Sequence, residues 1–322
     1  MPDPTDSIII PITRNISVSG GAGPISIPTP IPINGGVGKR FLKLLVAGAP
    51  KSAGKTTFGL SLPSNNKLVL SYDLGGVFAP PGVDPASIWE IEYPPADPKI
   101  HNFAMDPKTK QQVELFDGRW GRPINVADRI FRDAEEIRDA FRQGRPIKIG
   151  EQEIPLPDLL LLSGVTEFKN IALDYVLGVN KVSDPTDFEN RYMAWTMRSD
   201  KMRALFNMLI PLPCHVVIEC WENDEIKNNV PTSRILPDIG GGLDYSIAGK
   251  MSAAVRCYYE ANKWWVQVKS DNIRQWVGVR GKYDIVDKID VTINPKNPVS
   301  PFERALGYML GEGEVRQVMR RI

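Results

Sequence analysis

A lysine and two threonines follow a glycine between an apolar run and a helix-compatible stretch. The segment is "APKSAGKTTF", Ala49 to Phe58, and it comes directly after "FLKLLVAG". It fits the phosphate-loop pattern G-x-x-x-x-G-K-[ST], with alanine in place of the first glycine and Gly48 just before it. A loop between a buried strand and a helix N-terminus directs several backbone N–H groups at one point, which suits a polyphosphate. The alternative is a strand-to-helix turn of this composition by chance.

Two side chains of this loop have distinct expected roles. We expect Lys55 to neutralise the β and γ phosphates of ATP and the Thr56 hydroxyl to bind Mg²⁺. The whole predicted nucleotide cradle consists of Pro50, Lys51, Ser52, Ala53, Gly54, Lys55, Thr56 and Thr57.

A magnesium-nucleotide site also needs a carboxylate at the end of a neighbouring strand. "NIALDYV", Asn170 to Val176, is predicted to be a buried strand, and its Asp174 follows three apolar residues. We therefore expect Asp174 to contact Mg²⁺ directly or through water.

The rest of the chain is typical of an α/β protein that positions these residues. Further strands are predicted over "KLVLSYD" (Lys67 to Asp73) and "HVVIECW" (His215 to Trp221). One helix is predicted over "NVADRIFRDAEEIRDAFRQG", with Asn125 as its N-cap and Gly144 as its end. A second is predicted over "DPTDFENRYMAWTMRSDKMRALFNML", with Asp184 as its cap and apolar side chains along one stripe.

Three segments depart from this alternation of strands and helices. Residues 1–38 alternate isoleucine and proline with small residues, which predicts an extended arm, either a loose tail or a clamp on a neighbouring subunit. Residues 77–124 are predicted to be an insertion with a β-hairpin turning at Asp106 to Thr109. An ATPase domain would then occupy residues 39–290 and would contain a hairpin at "AAVRCYYEANKWWVQVKS". Residues 291–322 would form a tail with a short helix.

Composition excludes several classes of protein. Lys plus Arg (39) nearly balance Asp plus Glu (38), so no overall positive field attracts nucleic acid. The chain has three cysteines, Cys214, Cys220 and Cys257. Their odd number and the lack of metal-ligand spacing favour buried, reduced thiols in a cytosol. Only His101 and His215 are present, which excludes a histidine-rich metal site. No apolar run approaches the roughly 20 residues that cross a bilayer, so we expect a soluble, intracellular protein.

Five segments follow one another in the order and approximate spacing of a known family: "LVAGAPKSAGKTTF", "LVLSYDLGG", "FKNIALDYV", "HVVIECWEND" and "ILPDIGGGLDYSIAGKMSAAVRCYY". Over residues 40–285 the chain resembles RecA-like AAA-domain ATPases encoded by bacteriophages, which are associated with single-strand annealing and recombination. The resemblance implies a RecA-like P-loop NTPase fold with a mostly parallel central sheet, ATP and Mg²⁺ as cofactors, and the host cytoplasm as location. The chain departs from the family at Leu74, where an acidic residue is common, and at Tyr175, where serine is usual.

The resemblance also implies a candidate for the base that activates water. In RecA-type ATPases a carboxylate at the end of the strand after the phosphate loop has this role, and Asp73 holds that position here. Asp73 could instead cap the turn before Gly75 and Gly76. Glu219 and Glu222, at the tip of the fourth predicted strand, compete for the same role, and one of them could sense the γ phosphate.

Assembly and DNA binding are likewise implied by the resemblance. Such ATPases hold the nucleotide between subunits of a homo-oligomer, where a basic side chain from the neighbour stabilises the γ phosphate. Arg280 in "QWVGVRG" stands at that position, and the alternative is a solvated surface arginine. The loops that contact single-stranded DNA would correspond to residues 178–185 and 222–242, the second of which contains Lys227 and Arg234.

Three functions remain open on the sequence alone. The first is an oligomeric ATPase that acts on single-stranded DNA in phage recombination or replication. The second is an assembly or packaging protein in which ATP governs subunit association, and the third is a metabolic phosphotransferase. Stimulation of ATP hydrolysis by single-stranded DNA would separate the first from the second.

Overall fold

A computed structural model describes the following parts of the chain: residues 41–49, 53–62, 64–73, 76–93, 103–105, 112–114, 124–180, 182, 184–190, 192–227, 230–240, 242–279, 286–293 and 305. Several predictions lie outside these residues: the arm at 1–38, the loop residues Pro50, Lys51 and Ser52, almost all of the tail at 291–322, and Arg280.

Fourteen strands and five helices occur in the described residues. The strands are β1 (Lys43–Gly48), β2 (Lys67–Ser71), β3 (Ile88–Glu92), β4 (Phe103–Met105), β5 (Gln112–Glu114), β6 (Ile147–Ile149), β7 (Gln152–Ile154), β8 (Leu159–Ser163), β9 (His215–Lys227), β10 (Val230–Pro237), β11 (Ala253–Glu260), β12 (Lys263–Gln267), β13 (Gly278–Val279) and β14 (Lys288–Asp290). The helices are α1 (Lys55–Leu60), α2 (Ile124–Gln143), α3 (Val165–Asn180), α4 (Met193–Leu209) and α5 (Leu243–Ala248).

Ten of the strands form one mixed, mostly parallel sheet. Its order is β14-β12-β11-β1-β9-β8-β2-β3, with β10 paired to β9 and β13 paired to β11. The six strands from β11 to β3 run parallel to one another, and the remaining four pair antiparallel. The predicted α/β class with a mostly parallel central sheet is therefore confirmed.

The parallel strands are buried because helices cover both faces of the sheet. All residues of β2 and β8 are buried, as continuous apolar runs in a parallel sheet require. On one face, Leu44 and Val46 of β1 pack with Phe58 of α1 in one core cluster. On the other face, Leu45 and Ala47 belong to a larger cluster that contains the apolar residues of α2, α3 and α4.

The registers place the carboxyl ends of β1, β2 and β8 at one edge of the sheet, beyond which β9 continues to Lys227. Gly48 of β1 is aligned with Trp221 of β9, and Ser71 of β2 with Ser163 of β8. Ligands of open α/β sheets bind outside the carboxyl ends of the strands. Polar residues at this edge are therefore the candidates for a functional site.

The third predicted strand is wrong. "NIALDYV" belongs to α3, where Phe168, Ile171, Ala172 and Val176 are buried at helical spacing. The strand that occupies this place in the sheet is β8, "LLLLS", which Gly164 connects to α3 with a φ of 72°. A left-handed φ suits glycine, which lacks a Cβ, so the chain reverses within one residue.

The second predicted helix begins later than its cap signal indicates. Asp184 does accept the Thr186 N–H in a capping box, but the element that it caps is the 3-10 turn Pro185–Asp187. The long helix α4 starts only at Met193. Of its predicted apolar stripe, Met202 is buried, whereas 60% of Tyr192 is exposed. In contrast, α2 ends at Gln143 before Gly144, as predicted.

Both predicted hairpins are present. Within the predicted insertion, β4 pairs antiparallel with β5 outside the main sheet, and β3 adds a parallel edge strand to that sheet. Later in the chain, β11 pairs with β12 across a turn at Ala261 and Asn262, where both residues have positive φ.

The second segment proposed to contact DNA is mostly a β-hairpin rather than a loop. Residues 222–242 are predicted to be a loop that contacts single-stranded DNA, but 222–227 and 230–237 are the paired strands of the β9–β10 hairpin. Its Lys227 forms an ion pair with Glu225. The first proposed loop, 178–185, begins inside α3.

The three cysteines are buried, as the sequence predicts. All three cysteines are free and buried, and two of them lie in β9 and β11 as predicted. None of the helices in the part of the chain that the structure describes has the length and apolar character needed to span a bilayer.

Gly48 should be essential to the end of β1. A Cβ on Gly48 would lie 2.3 Å from the backbone oxygen of Cys257 in β11 and 3.1 Å from the Ala53 Cβ. We expect Gly48→Ala to lower the free energy of unfolding by about 1–3 kcal/mol, measured by urea denaturation, because the backbone of β11 cannot move aside. Gly278→Ala is the matched control, since a Cβ there meets nothing within 4 Å. An equal loss in both variants would contradict the steric explanation.

Candidate functional site

The loop between β1 and α1 has the flanks that the sequence predicts. β1 ends at Gly48 and α1 begins at Lys55. Gly54 precedes the helix with a left-handed φ of 76°, and its carbonyl accepts the first helical hydrogen bond, from the Phe58 N–H. A residue with a Cβ would be strained at Gly54, which explains why glycine precedes the lysine.

Lys55 lies at the mouth of this turn. Its side chain is half-buried, and its ammonium donates a hydrogen bond to the carbonyl oxygen of Ala49, at the other end of the loop. The positive charge is therefore held across the loop rather than directed into solvent.

A carboxylate from β9 meets the Thr56 hydroxyl. Thr56 Oγ1 donates to Glu219 Oε2 over 2.9 Å, and Ser163 Oγ donates to the same oxygen over 3.2 Å. These three residues come from α1, from β9 next to β1, and from β8 one strand further. They form one hydrogen-bonded cluster at the carboxyl edge of the sheet, which we call the Thr56–Glu219–Ser163 cluster.

Glu219 is buried but only half satisfied. The residue is 1% exposed, and its Oε1 has no hydrogen-bond partner among the described residues. The side chain fits beneath α1 because Gly59 has no Cβ, as a Cβ there would lie 3.1 Å from Oε1. An unsatisfied buried carboxylate is costly unless something compensates its charge.

The protonation of Glu219 reflects this environment. Burial raises the pKa of Glu219 to about 7. The hydrogen bonds from Thr56 and Ser163 and the charge of Lys55 act in the opposite direction, and the charge of Asp73 adds to the rise. A cation beside the Thr56 hydroxyl would favour the ionised carboxylate.

Asp73 lies close to the same cluster. It follows β2, and a Cβ on Gly164 would come within 2.8 Å of its Cγ, so the carboxyl packs against the residue after Ser163. The structure therefore brings the predicted residues Lys55, Thr56 and Asp73 to one edge of the sheet.

Asp174 is not part of this cluster. It lies nine residues into α3, which corresponds to about 14 Å along the helix axis from Val165. Its expected role as the metal-facing carboxylate depended on a strand end that does not exist, because the apolar run before it is one face of a helix.

Two residues of the cluster were not assigned this role from the sequence. Ser163 ends a run of four leucines, "LLLLSG", and a polar residue before a glycine at the end of such a run is the signal for a strand end. Glu219 was considered only as a base or sensor, although a lone acidic residue inside the apolar strand "HVVIECW" indicates a charge with a buried partner.

The donor set fits Mg²⁺ bound together with phosphate. Mg²⁺ is usually held by one or two carboxylates together with substrate phosphates and water, rather than by a cage made of protein alone. One carboxylate and two hydroxyls meet here, and no group of three or more His, Cys, Asp or Glu elsewhere in the described ranges could hold a metal.

Comparison of the chain with protein-family models and with curated proteins finds no match. The Thr56–Glu219–Ser163 cluster and the loop beside it are therefore the features that indicate a function.

Proposed function

We propose that this protein binds ATP with Mg²⁺ at the loop between β1 and α1 and hydrolyses it. The observation that carries the proposal is the hydrogen bond from Thr56 Oγ1 to the buried carboxyl of Glu219. A hydroxyl directly after the loop lysine and a carboxyl on a neighbouring strand are the two protein groups that a magnesium-nucleotide site requires. Since α1 has only six residues, these side chains support the proposal more strongly than the helix terminus does.

Each polar residue then has a stated task. Lys55 moves from the Ala49 carbonyl to the β and γ phosphates, and Thr56 with Glu219 holds the cation, with Ser163 orienting the carboxyl. Bound Mg²⁺ neutralises charge on the phosphates during transfer of the γ phosphoryl group. Glu219 replaces Asp174 in this assignment.

Asp73 is the proposed proton acceptor for the attacking water. It follows β2, two strands from β9, and packs against Gly164 beside the cluster. A carboxylate outside the metal site can accept a proton while Glu219 stays on the cation, so the two acids have separate tasks.

The finer assignment follows the resemblance. We propose a RecA-like ATPase that acts as a homo-oligomer on single-stranded DNA in phage recombination, with a nucleotide-dependent assembly protein as the alternative. The parallel order β11-β1-β9-β8-β2 is compatible with a P-loop fold. Neither proposed DNA-contact segment is a free loop throughout, and Arg280 lies outside the described residues. Nucleotide binding is therefore better supported than DNA binding.

Titration calorimetry with ATP tests the proposal. We expect ATP to bind in the presence of Mg²⁺ and more weakly in EDTA, and phosphate release to require Mg²⁺. Adding single-stranded DNA to the phosphate-release assay separates the recombination ATPase, which it stimulates, from the assembly protein, which it does not. Absence of ATP binding with Mg²⁺ present would overturn the proposal.

A further inference from the structure

An open cavity lies beside the phosphate loop, on the side of the β11–β12 hairpin. Its volume is about 380 Å³, and its lining is mostly apolar. Gly54 and Thr57 form the wall toward the loop, and Phe58 and Cys257 are buried residues in its lining. The cavity is thus continuous with the proposed phosphate site.

Two aromatic rings from the hairpin form the opposite wall. Trp264 and Tyr259 are register partners on β12 and β11, and their ring centroids lie 4.5 Å apart in an edge-to-face arrangement. The Trp264 ring is directly against the loop, since a Cβ on Gly54 would lie 3.4 Å from its Cδ1. Tyr259 is 52% exposed, so part of its ring is accessible to a ligand in the cavity.

A polar group is placed at the rim of this aromatic wall. Asn262, in the hairpin turn, accepts a hydrogen bond from the Tyr259 hydroxyl through Oδ1, over 3.2 Å. Because its oxygen is used in this way, the amide presents its nitrogen as a donor. A few polar groups around a mostly apolar wall are characteristic of small-molecule sites.

We propose that this cavity holds the nucleobase of the bound nucleotide, stacked on Trp264, with the Asn262 amide donating to an acceptor on the base. The proposal rests on the function proposed above and extends it. It commits to a planar heteroaromatic occupant because the Trp264 ring next to the phosphate loop offers area on which a base can stack. Trp264 is then a binding residue that contributes affinity without taking part in the chemistry.

The test compares three ligands on two tryptophan variants by titration calorimetry. The ligands are ATP, adenosine, which has no phosphates, and inorganic tripolyphosphate, which has no base. We expect Trp264→Leu to weaken ATP and adenosine about 5- to 150-fold, the range for stacking one base on an aromatic ring, and to leave tripolyphosphate within about twofold. Trp265→Leu is the matched control, because Trp265 is the next residue of β12 and packs against Lys288 instead.

The outcomes separate the two proposals. If adenosine binds through Trp264 but ATP binds no more tightly than adenosine and tripolyphosphate does not bind, the base pocket stands and the phosphate assignment fails. If the folded Trp264→Leu variant binds ATP and adenosine as tightly as the parent, the base pocket is overturned while the phosphate site stands. If the parent protein binds neither ATP nor adenosine, both are overturned.

Discussion

Lys55→Ala should weaken ATP binding about 10- to 150-fold, which corresponds to the loss of about 1.5–3 kcal/mol for one charge-assisted contact. The ammonium donates only to the Ala49 carbonyl in the described structure, so its charge is available to a phosphate. Titration calorimetry at fixed Mg²⁺ measures the change. The fold should be unaffected, and the free energy of unfolding should change by less than about 0.5 kcal/mol, because Lys55 contributes nothing to the core.

Lys148→Ala is the control of equal charge. It distinguishes a direct contact between Lys55 and the phosphates from a general effect of the protein's positive charge. Lys148 lies in the β6–β7 hairpin, outside the main sheet, and pairs with Glu153 on the surface. Lys148→Ala removes the same charge, and we expect ATP affinity to stay within about twofold, since solvent screens such a distant group. Equal ATP affinity in Lys55→Ala and the parent protein would show that the loop is a turn without a role in phosphate binding.

Glu219→Gln should reduce Mg²⁺-dependent ATP hydrolysis by about 100-fold or more, since it removes the only carboxylate of the Thr56–Glu219–Ser163 cluster. Glutamine keeps the shape and still accepts hydrogen bonds from Thr56 and Ser163, so only the charge is lost. ATP affinity in EDTA should change little, because the amide affects the cation rather than the phosphates. Steady-state phosphate release at saturating ATP is the measurement.

Stability provides an internal check on this variant. Because burial raises the pKa of Glu219, ionisation at neutral pH costs free energy, and the neutral amide avoids that cost. The Gln variant should therefore unfold at the same urea concentration as the parent or a higher one, so that lost activity cannot be attributed to lost structure.

Asp174→Asn is the matched control for the metal site. It makes the same chemical change on α3, about 14 Å along the helix from Val165, and turnover should stay within about twofold. A large loss in this variant with full activity in Glu219→Gln would return the metal site to Asp174 and contradict the cluster.

The elements on which the site is built follow from local sequence. "FLKLLVAG" is a continuous apolar run, and "SAGKTTF" combines a glycine that allows a left-handed turn with residues that continue as a helix. Strand, loop and helix are decided within about fifteen residues, so neighbouring side chains carry enough information. The same is true of the β11–β12 hairpin, whose alternation and turn are both local.

Short apolar runs were ambiguous where local signals compete. "NIALDYV" has the composition of a buried strand, yet it forms the middle of α3, where Ile171, Ala172 and Val176 are buried. "LLLLS" is equally compatible with a strand or a buried helix by periodicity. The pairing in the sheet decides which segment is the strand. β8 lies between β2 and β9 and forms parallel hydrogen bonds with both.

Tertiary structure alone decides which carboxylate lies beside the Thr56 hydroxyl. Glu219 is 163 residues from Thr56 in the chain, and the two meet only because β9 lies directly beside β1 in the sheet. Residue types and spacing show that carboxyl ends of parallel strands share an edge, but they do not show which strands are neighbours. That order depends on how the helices pack on the two faces, a sum of many long-range contacts that no local pattern contains. Local sequence therefore accounts for the β1–loop–α1 unit, whereas the packing of the sheet decides which acid lies beside the Thr56 hydroxyl.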